Sequence, residues 1–137
     1  MAYWGGPDLV ESGIVASFTR PGANVTGVHM LNTALDPKRL ELLVQSVPTA
    51  KRVAVLIHDA RLFEPQLAEI RKVAPTIGVQ LHFSDVRDGD DGYDSAFRSI
   101  AQAGAEALLV PSSPKFTSAR KLISELAAKR RIPAIYE

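Results

Sequence analysis

Arg52-Val-Ala-Val-Leu-Ile-His-Asp59 is a short, almost wholly apolar run that stops abruptly in polar residues, and its reading decides the fold. Apolar, β-branched residues in a run this short, bounded by turn chemistry, are the pattern of a strand buried on both faces. A strand buried on both faces requires a parallel sheet covered by helices. The residues that follow it, His58-Asp59-Ala60-Arg61, therefore leave the carboxyl end of a central strand, where open α/β sheets place their ligands.

Working outward, Glu64-Pro65 opens a helix with an apolar face of Leu67, Ile70, Ala74 and Ile77, which Gly78 stops and Pro75 loosens in its last turn. Val79, Leu81 and Phe83 alternate with polar residues, the mark of a half-exposed strand near an edge. A Gly- and Asp-rich turn over 88–92 leads to a helix from Tyr93 to Ala103, stopped by Gly104. Glu106-Ala-Leu-Leu-Val110 is a second continuous apolar strand. A helix from about Thr117 to Arg130 follows, burying Ala119, Leu122, Ile123, Leu126 and Ala127, and Ile132-Pro-Ala-Ile-Tyr136 is a last short strand with Pro133 at its start or on an edge. Upstream, Asp36-Pro37 starts a helix with Pro at its first position and Leu40, Leu43, Val44 and Val47 on one face. Asn24 to Met30 reads as a short strand, and Pro7-Asp8-Leu-Val-Glu11 as the capped start of a helix through about Phe18.

Residues 52–136 thus read β-α-β-α-β-α-β. Short loops and right-handed crossovers make this an open parallel sheet of about four strands with helices on both faces, in the order 2-1-3-4. The chain reverses direction between the strands at 52–57 and 106–110. The crevice between their carboxyl ends sets His58 and Asp59 opposite Ser112 and Ser113, groups suited to hydrogen-bonding a small molecule.

Other chemistries lack their residues. The net charge of +1 gives no reason to expect a nucleic-acid partner, and Lys129-Arg130-Arg131 reads as cations favoured at a helix C-terminus. There is no cysteine, hence no disulfide, thiolate nucleophile or sulfur-ligated metal. No phosphate-binding glycine loop follows any strand, and no cofactor is called for. His29, His58 and His82 are scattered. The acidic group Asp85, Asp88, Asp90, Asp91 and Asp94 has its glycine at the wrong offset for a calcium loop and reads as helix-capping sequence. No nucleophile-elbow pattern surrounds Ser112 or Ser113, and no matched acid–base set marks an enzyme. Tyr3-Trp-Gly-Gly6 reads as a frayed or packed terminus. Residues 1–20 include Asp8, Glu11 and Arg20 and no apolar run suited to a signal peptide or membrane insertion, so the chain as written reads as cytoplasmic.

Several stretches together resemble one family. They are Val10-Glu-Ser-Gly-Ile-Val-Ala-Ser17, Arg20-Pro-Gly-Ala-Asn-Val-Thr-Gly-Val28, Lys38-Arg-Leu-Glu-Leu-Leu43, Arg52-Val-Ala-Val-Leu56, Ala107-Leu-Leu-Val110 and Leu126-Ala-Ala-Lys-Arg-Arg-Ile-Pro-Ala-Ile-Tyr136. In order and spacing they resemble the substrate-binding proteins of bacterial ABC transporters that include the tryptophan/tyrosine-type receptors, built on the type 1 periplasmic binding fold. The Arg20-to-Val28 run is the specific part. The resemblance implies a flavodoxin-like lobe over 37–137 and, over 1–36, a helix–strand arm belonging to the other lobe and the hinge. It implies a small ligand, such as an amino acid, held between lobes, a transporter permease as partner of full-length relatives, and a periplasmic location for the family. The family's acidic-Pro-apolar opening of its first helix corresponds here to Gly6-Pro7-Asp8-Leu9, which adds Asp8 to His58, Asp59, Ser112 and Ser113 as ligand-binding candidates.

The leading expectation is a non-enzymatic solute-binding component, truncated relative to the family pattern. The apolar Val10, Ile14, Val15 and Phe18 need a partner, which points to a homodimer, with exchange of the N-terminal segments as one way to form it. The alternative is a self-associating α/β protein without ligand, in which the N-terminal arm serves dimerisation alone.

Overall fold

The computed structural model describes residues 2–5, 10, 13–20, 22, 24, 26–29, 33–61, 63–87 and 91–136. Two short strands, β1 (Ala2–Gly5) and β2 (Thr26–His29), pair in parallel. A single 3-10 turn over Thr33–Leu35 then leads into α1 (Asp36–Ser46). The rest alternates strictly: β3 (Arg52–Ile57), α2 (Glu64–Val73), β4 (Gln80–Asp85), α3 (Gly92–Gln102), β5 (Ala107–Leu109), α4 (Pro114–Ser118), α5 (Arg120–Lys129) and β6 (Ala134–Ile135). The second sheet is all-parallel in the order β4-β3-β5-β6, the 2-1-3-4 arrangement that the alternation predicts.

β3 is central, and its side chains divide between two cores. Val53 and Val55 pack with Leu40, Leu43, Leu67, Ile70 and Leu109 beneath α1 and α2. Ala54 and Leu56 pack with Phe97, Ile100, Leu108, Ile123 and Leu126 beneath α3 and α5. All four strand residues are fully buried. β4 lies at an edge, with Leu81 and Phe83 half-buried and Gln80 and Asp85 exposed.

α3 and α5 end alike. After α3, the Gly104 and Ala105 amides donate to Ala101 and Ile100 carbonyls, with Gly104 in the left-handed region at φ 63°. After α5, the Arg131 and Ile132 amides donate to Ala128 and Ala127 carbonyls in the same double closure. Here a non-glycine residue, Arg131, holds φ 54°.

Three features differ from the sequence expectation. Among the described residues, 13–20 run through turns and bends instead of continuing a helix to Phe18. Gly13 takes φ 71° with its amide on the Val10 carbonyl, and Ser17 Oγ accepts from the Arg20 amide at 3.0 Å, local bonds that compete with helix. The helix expected over 117–130 starts earlier and breaks at Ala119, because the Ser113 side chain caps Lys115 N at 3.2 Å and Pro114 occupies the first turn of α4. Leu122 consequently faces solvent on α5 instead of being buried. Finally, Ala2–Gly5 forms a paired strand where the sequence suggested a frayed or packed terminus.

Candidate functional site

The pairing of β3 with β5 brings their carboxyl ends side by side, and the residues leaving them meet there. His58 Nε2 lies 2.5 Å from Ser113 Oγ. The His58 ring sits edge-on between Phe63 at 4.7 Å and Phe116 at 5.0 Å, ring centre to ring centre. Two aromatic contacts and one hydrogen bond thus fix a half-buried imidazole. Ser113 Oγ also accepts the Lys115 amide of α4. With a neutral imidazole carrying its proton on Nδ1, the Ser113 hydroxyl donates to Nε2. A protonated ring reverses the direction.

Ser112, beside it, is held by its backbone. Its amide donates to Asp36 Oδ2 at 3.2 Å, and its carbonyl accepts from Gln66 Nε2 at 3.2 Å. Gln66 Nε2 also donates to Asp36 Oδ2, and Arg39 Nη1 to Asp36 Oδ1 at 2.6 Å. Asp36 is 0% exposed. Burial pushes its carboxyl up from the ordinary carboxylate value, and the bonds from Gln66, Arg39 and Ser112 pull it back only part of the way. A shallow recess lined by His58, Phe63, Gln66, Ser112, Ser113 and Phe116 lies against this network.

Beyond His58 the surface opens into a polar concavity of about 690 Å³, solvent included, lined by His58, Asp59, Asp85, Val86, Arg87 and Lys115. Asp85 ends β4, opposite Ile57 of β3, and Asp59 leaves β3 with a left-handed φ of 47°, a conformation aspartate tolerates better than most residues. Among the described residues no side-chain hydrogen bond or ion pair engages Asp59, Asp85 or Arg87. Lys115 Nζ reaches the Val86 carbonyl at 3.5 Å. Two acidic and two basic residues therefore line one concavity, a residue set with charges for both ends of a zwitterion. Val110, Pro111, Phe116, Ile123 and Tyr136, with Thr117 and Arg120, line a second, apolar groove of about 350 Å³, solvent included.

The structure thus brings His58, Asp59, Ser112 and Ser113 to one end of the sheet, while Asp8 lies outside the described residues. Sequence reasoning passed over Asp36, Gln66, Arg87 and Lys115. Asp36 precedes Pro37 and reads as a cap, yet its carboxylate makes no cap bond. Asp85 was visible only as part of an acidic cluster. Among the described residues no group of three His, Cys, Asp or Glu side chains is placed to hold a metal ion.

A parallel α/β lobe with an open crevice at the carboxyl ends of its strands, preceded by a separate parallel strand pair, defines the class. Residues 3–137 match the family described as ABC transporter substrate binding protein, and the chain belongs to that family. A tyrosine-binding protein of Clostridioides difficile (strain R20291) is 26% identical over 129 residues, covering 93% of this chain and 36% of the relative. Two solved structures share the fold. An ABC domain from Streptococcus pneumonia in complex with L-Trp matches at a TM-score of 0.73 and 20% identity. A conserved domain protein from Vibrio cholerae matches at 0.74 and 23%. Each match covers 93% of this chain and 42% of the solved one. The chain therefore spans less than half the length of these relatives.

Proposed function

We propose that the chain contributes one wall of an amino-acid-binding cleft in the solute-capturing component of an ABC transporter. The observation that carries this reading is the concavity that Asp59, Asp85, Arg87 and Lys115 line beside the His58–Ser113 pair. An α-ammonium group is met by the carboxylates and an α-carboxylate by the cations, while Phe63 and Phe116 pack on the His58 ring at the edge of the concavity. The tyrosine-binding and L-Trp-bound relatives support the choice of an amino acid. Residues 1–36 belong on this reading to the opposite lobe and hinge, and 37–137 to the lobe described above. Binding without chemical conversion, delivery to a permease and a periplasmic setting are part of this proposal, and the family match supports them.

Calorimetric titration with L-tryptophan, L-tyrosine, tryptamine and N-acetyl-L-tryptophan tests the reading. The zwitterions bind, and the analogues lacking carboxylate or ammonium charge bind at least tenfold more weakly, since a lost charge-assisted bond is worth about 1.5–3 kcal/mol. Tryptamine binding as tightly as L-tryptophan, or no binding by any amino acid, overturns it.

Self-association is a second reading, favoured by one observation: Ile14, Phe18, Leu35 and Leu42 are all exposed apolar side chains. Sedimentation velocity across a range of concentrations detects the homodimer or shows a monomer throughout.

A further inference from the structure

Four polar groups meet in the buried space between α1, α2 and the loop after β5. Asp36, the first residue of α1, accepts from Ser112 N, Gln66 Nε2 and Arg39 Nη1. Gln66, on α2, closes the ring by donating to Ser112 O. Both polar groups of the Ser112 backbone are thereby held by side chains from two different helices. The next residue, Ser113, carries the hydroxyl that meets His58.

A buried carboxylate has a cost that an apolar residue at the same place avoids. Its position here has a specific consequence: with the Ser112 peptide fixed at both its amide and its carbonyl, the direction in which Ser113 leaves the strand is fixed as well. Asp36 also follows directly on the Thr33–Leu35 turn, which joins the β1–β2 pair to α1. The same carboxylate is thus bonded to the site loop and covalently continuous with the connection from the N-terminal strands.

We propose that Asp36 and Gln66 are positioning residues that hold the Ser112–Ser113 loop in register with His58, and that Asp36 ties this loop to the connection leaving β2. The consequence for affinity rests on the amino-acid reading above; the positioning itself does not.

The protein supplies its own control. His82 Nε2 lies 3.0 Å from Ser99 Oγ, a second histidine–serine contact built between β4 and α3 without any atom of the Asp36 network. Nitrogen-15 NMR of the imidazoles in the full chain reads both pairs without ligand. Gln66→Met, which conserves volume but removes the bond to the Ser112 carbonyl, shifts the His58 Nε2 resonance and leaves His82 unchanged. Asp36→Ala shifts His58 further. Asp36→Asn, which keeps an acceptor for the Ser112 amide, restores most of the wild-type signal. In the ligand titration, Gln66→Met and Asp36→Ala weaken L-tryptophan or L-tyrosine binding about tenfold, and Asp36→Asn weakens it less. If Asp36→Ala does not fold, Gln66→Met and Asp36→Asn decide the matter. An unchanged His58 resonance in Gln66→Met overturns the proposal, as do equal shifts at His58 and His82, which indicate general loosening. If no amino acid binds the wild type while the selective His58 shift persists, the amino-acid reading fails and the positioning stands.

Discussion

Removing the Ser113 hydroxyl perturbs two things at once, and a double-mutant cycle separates them. In Ser113→Ala, α4 loses its side-chain cap on Lys115 N, and His58 Nε2 loses its bond to the Ser113 hydroxyl. Loss of a serine cap costs about 0.5–2 kcal/mol, and α4 has only five residues to benefit, so about 1 kcal/mol is taken. Losing one hydrogen bond at the half-buried His58 costs about 0.5–1.5 kcal/mol, and about 1 kcal/mol is taken. The single substitution therefore destabilises by about 2 kcal/mol. His58→Phe keeps a ring against Phe63 and Phe116 but has no nitrogen to bond. In that background Ser113→Ala costs only the cap, about 1 kcal/mol, leaving a coupling energy of about 1 kcal/mol. Urea unfolding of the four proteins at about pH 8, where an ordinary imidazole is neutral, measures it. A coupling energy within about 0.3 kcal/mol of zero refutes the reasoning, since non-interacting sites add to within that margin.

Two carboxylates give pH dependences of opposite sign. The Asp36 pKa is raised by burial, so its contribution to stability is present in acid and lost as pH rises through the raised value; Asp36→Asn therefore gains on the wild type as pH increases, read as urea midpoints from about pH 4 to pH 8. Glu106 accepts the amides of Lys51 at 2.6 Å and Arg52 at 3.0 Å, which hold its carboxyl below the usual range. Its contribution is present above the ordinary carboxylate value and lost as pH falls through the lowered one, so Glu106→Gln is less stable at neutral pH and has a shallower acid limb. Gly92→Ala sets a Cβ 2.0 Å from the Arg87 carbonyl oxygen, which forces the backbone to move; a loss of about 1–3 kcal/mol in urea unfolding is expected, together with weaker amino-acid binding as Arg87 shifts. Arg131→Gly relieves the left-handed strain after α5, worth about 1–2 kcal/mol, against a glycine entropy cost of about 0.5–1 kcal/mol, so the urea midpoint rises modestly.

The lobe over 36–136 was legible in sequence because β3 and β5 are continuous apolar runs, and because Gly78, Gly104 and the prolines punctuate the helices between them. The order 2-1-3-4 followed from short loops and right-handed crossovers, with the half-exposed run at 79–83 placed near an edge. Local chemistry obscured the rest. A helix cap and a ligand hydroxyl were both uses open to Ser113 in sequence, but the helix was expected from about Thr117, and the Ser113 cap sets its start at Pro114. Gly13 and Ser17 sit inside an apparently helical apolar pattern and redirect the backbone through turns. That His58 and Ser113 lie together was legible because topology dictates where strands end. Asp36 and Gln66 were not, because their bonds join residues far apart in sequence through side chains whose types also serve ordinary helix starts and surfaces. Arg87 and Lys115 carry no local signal at all; only the parallel pairing of β3 with β4 and β5 brings their surroundings together.

The alternation of β3, with Val53 and Val55 facing one core and Ala54 and Leu56 the other, does more than fill space. Pairings such as Val53 with Ala107 and Ile57 with Asp85 set how far each strand runs before it leaves the sheet. A slip by one residue would turn every side chain of β3 to the wrong face, and would also carry His58 out of reach of Ser113. Selection for a well-filled interior therefore guards the geometry of the crevice without acting on any residue in it. On the proposed reading, substitutions among the crevice's polar side chains retune what is bound while the crevice itself stays anchored by the buried valines, alanine and leucine of β3.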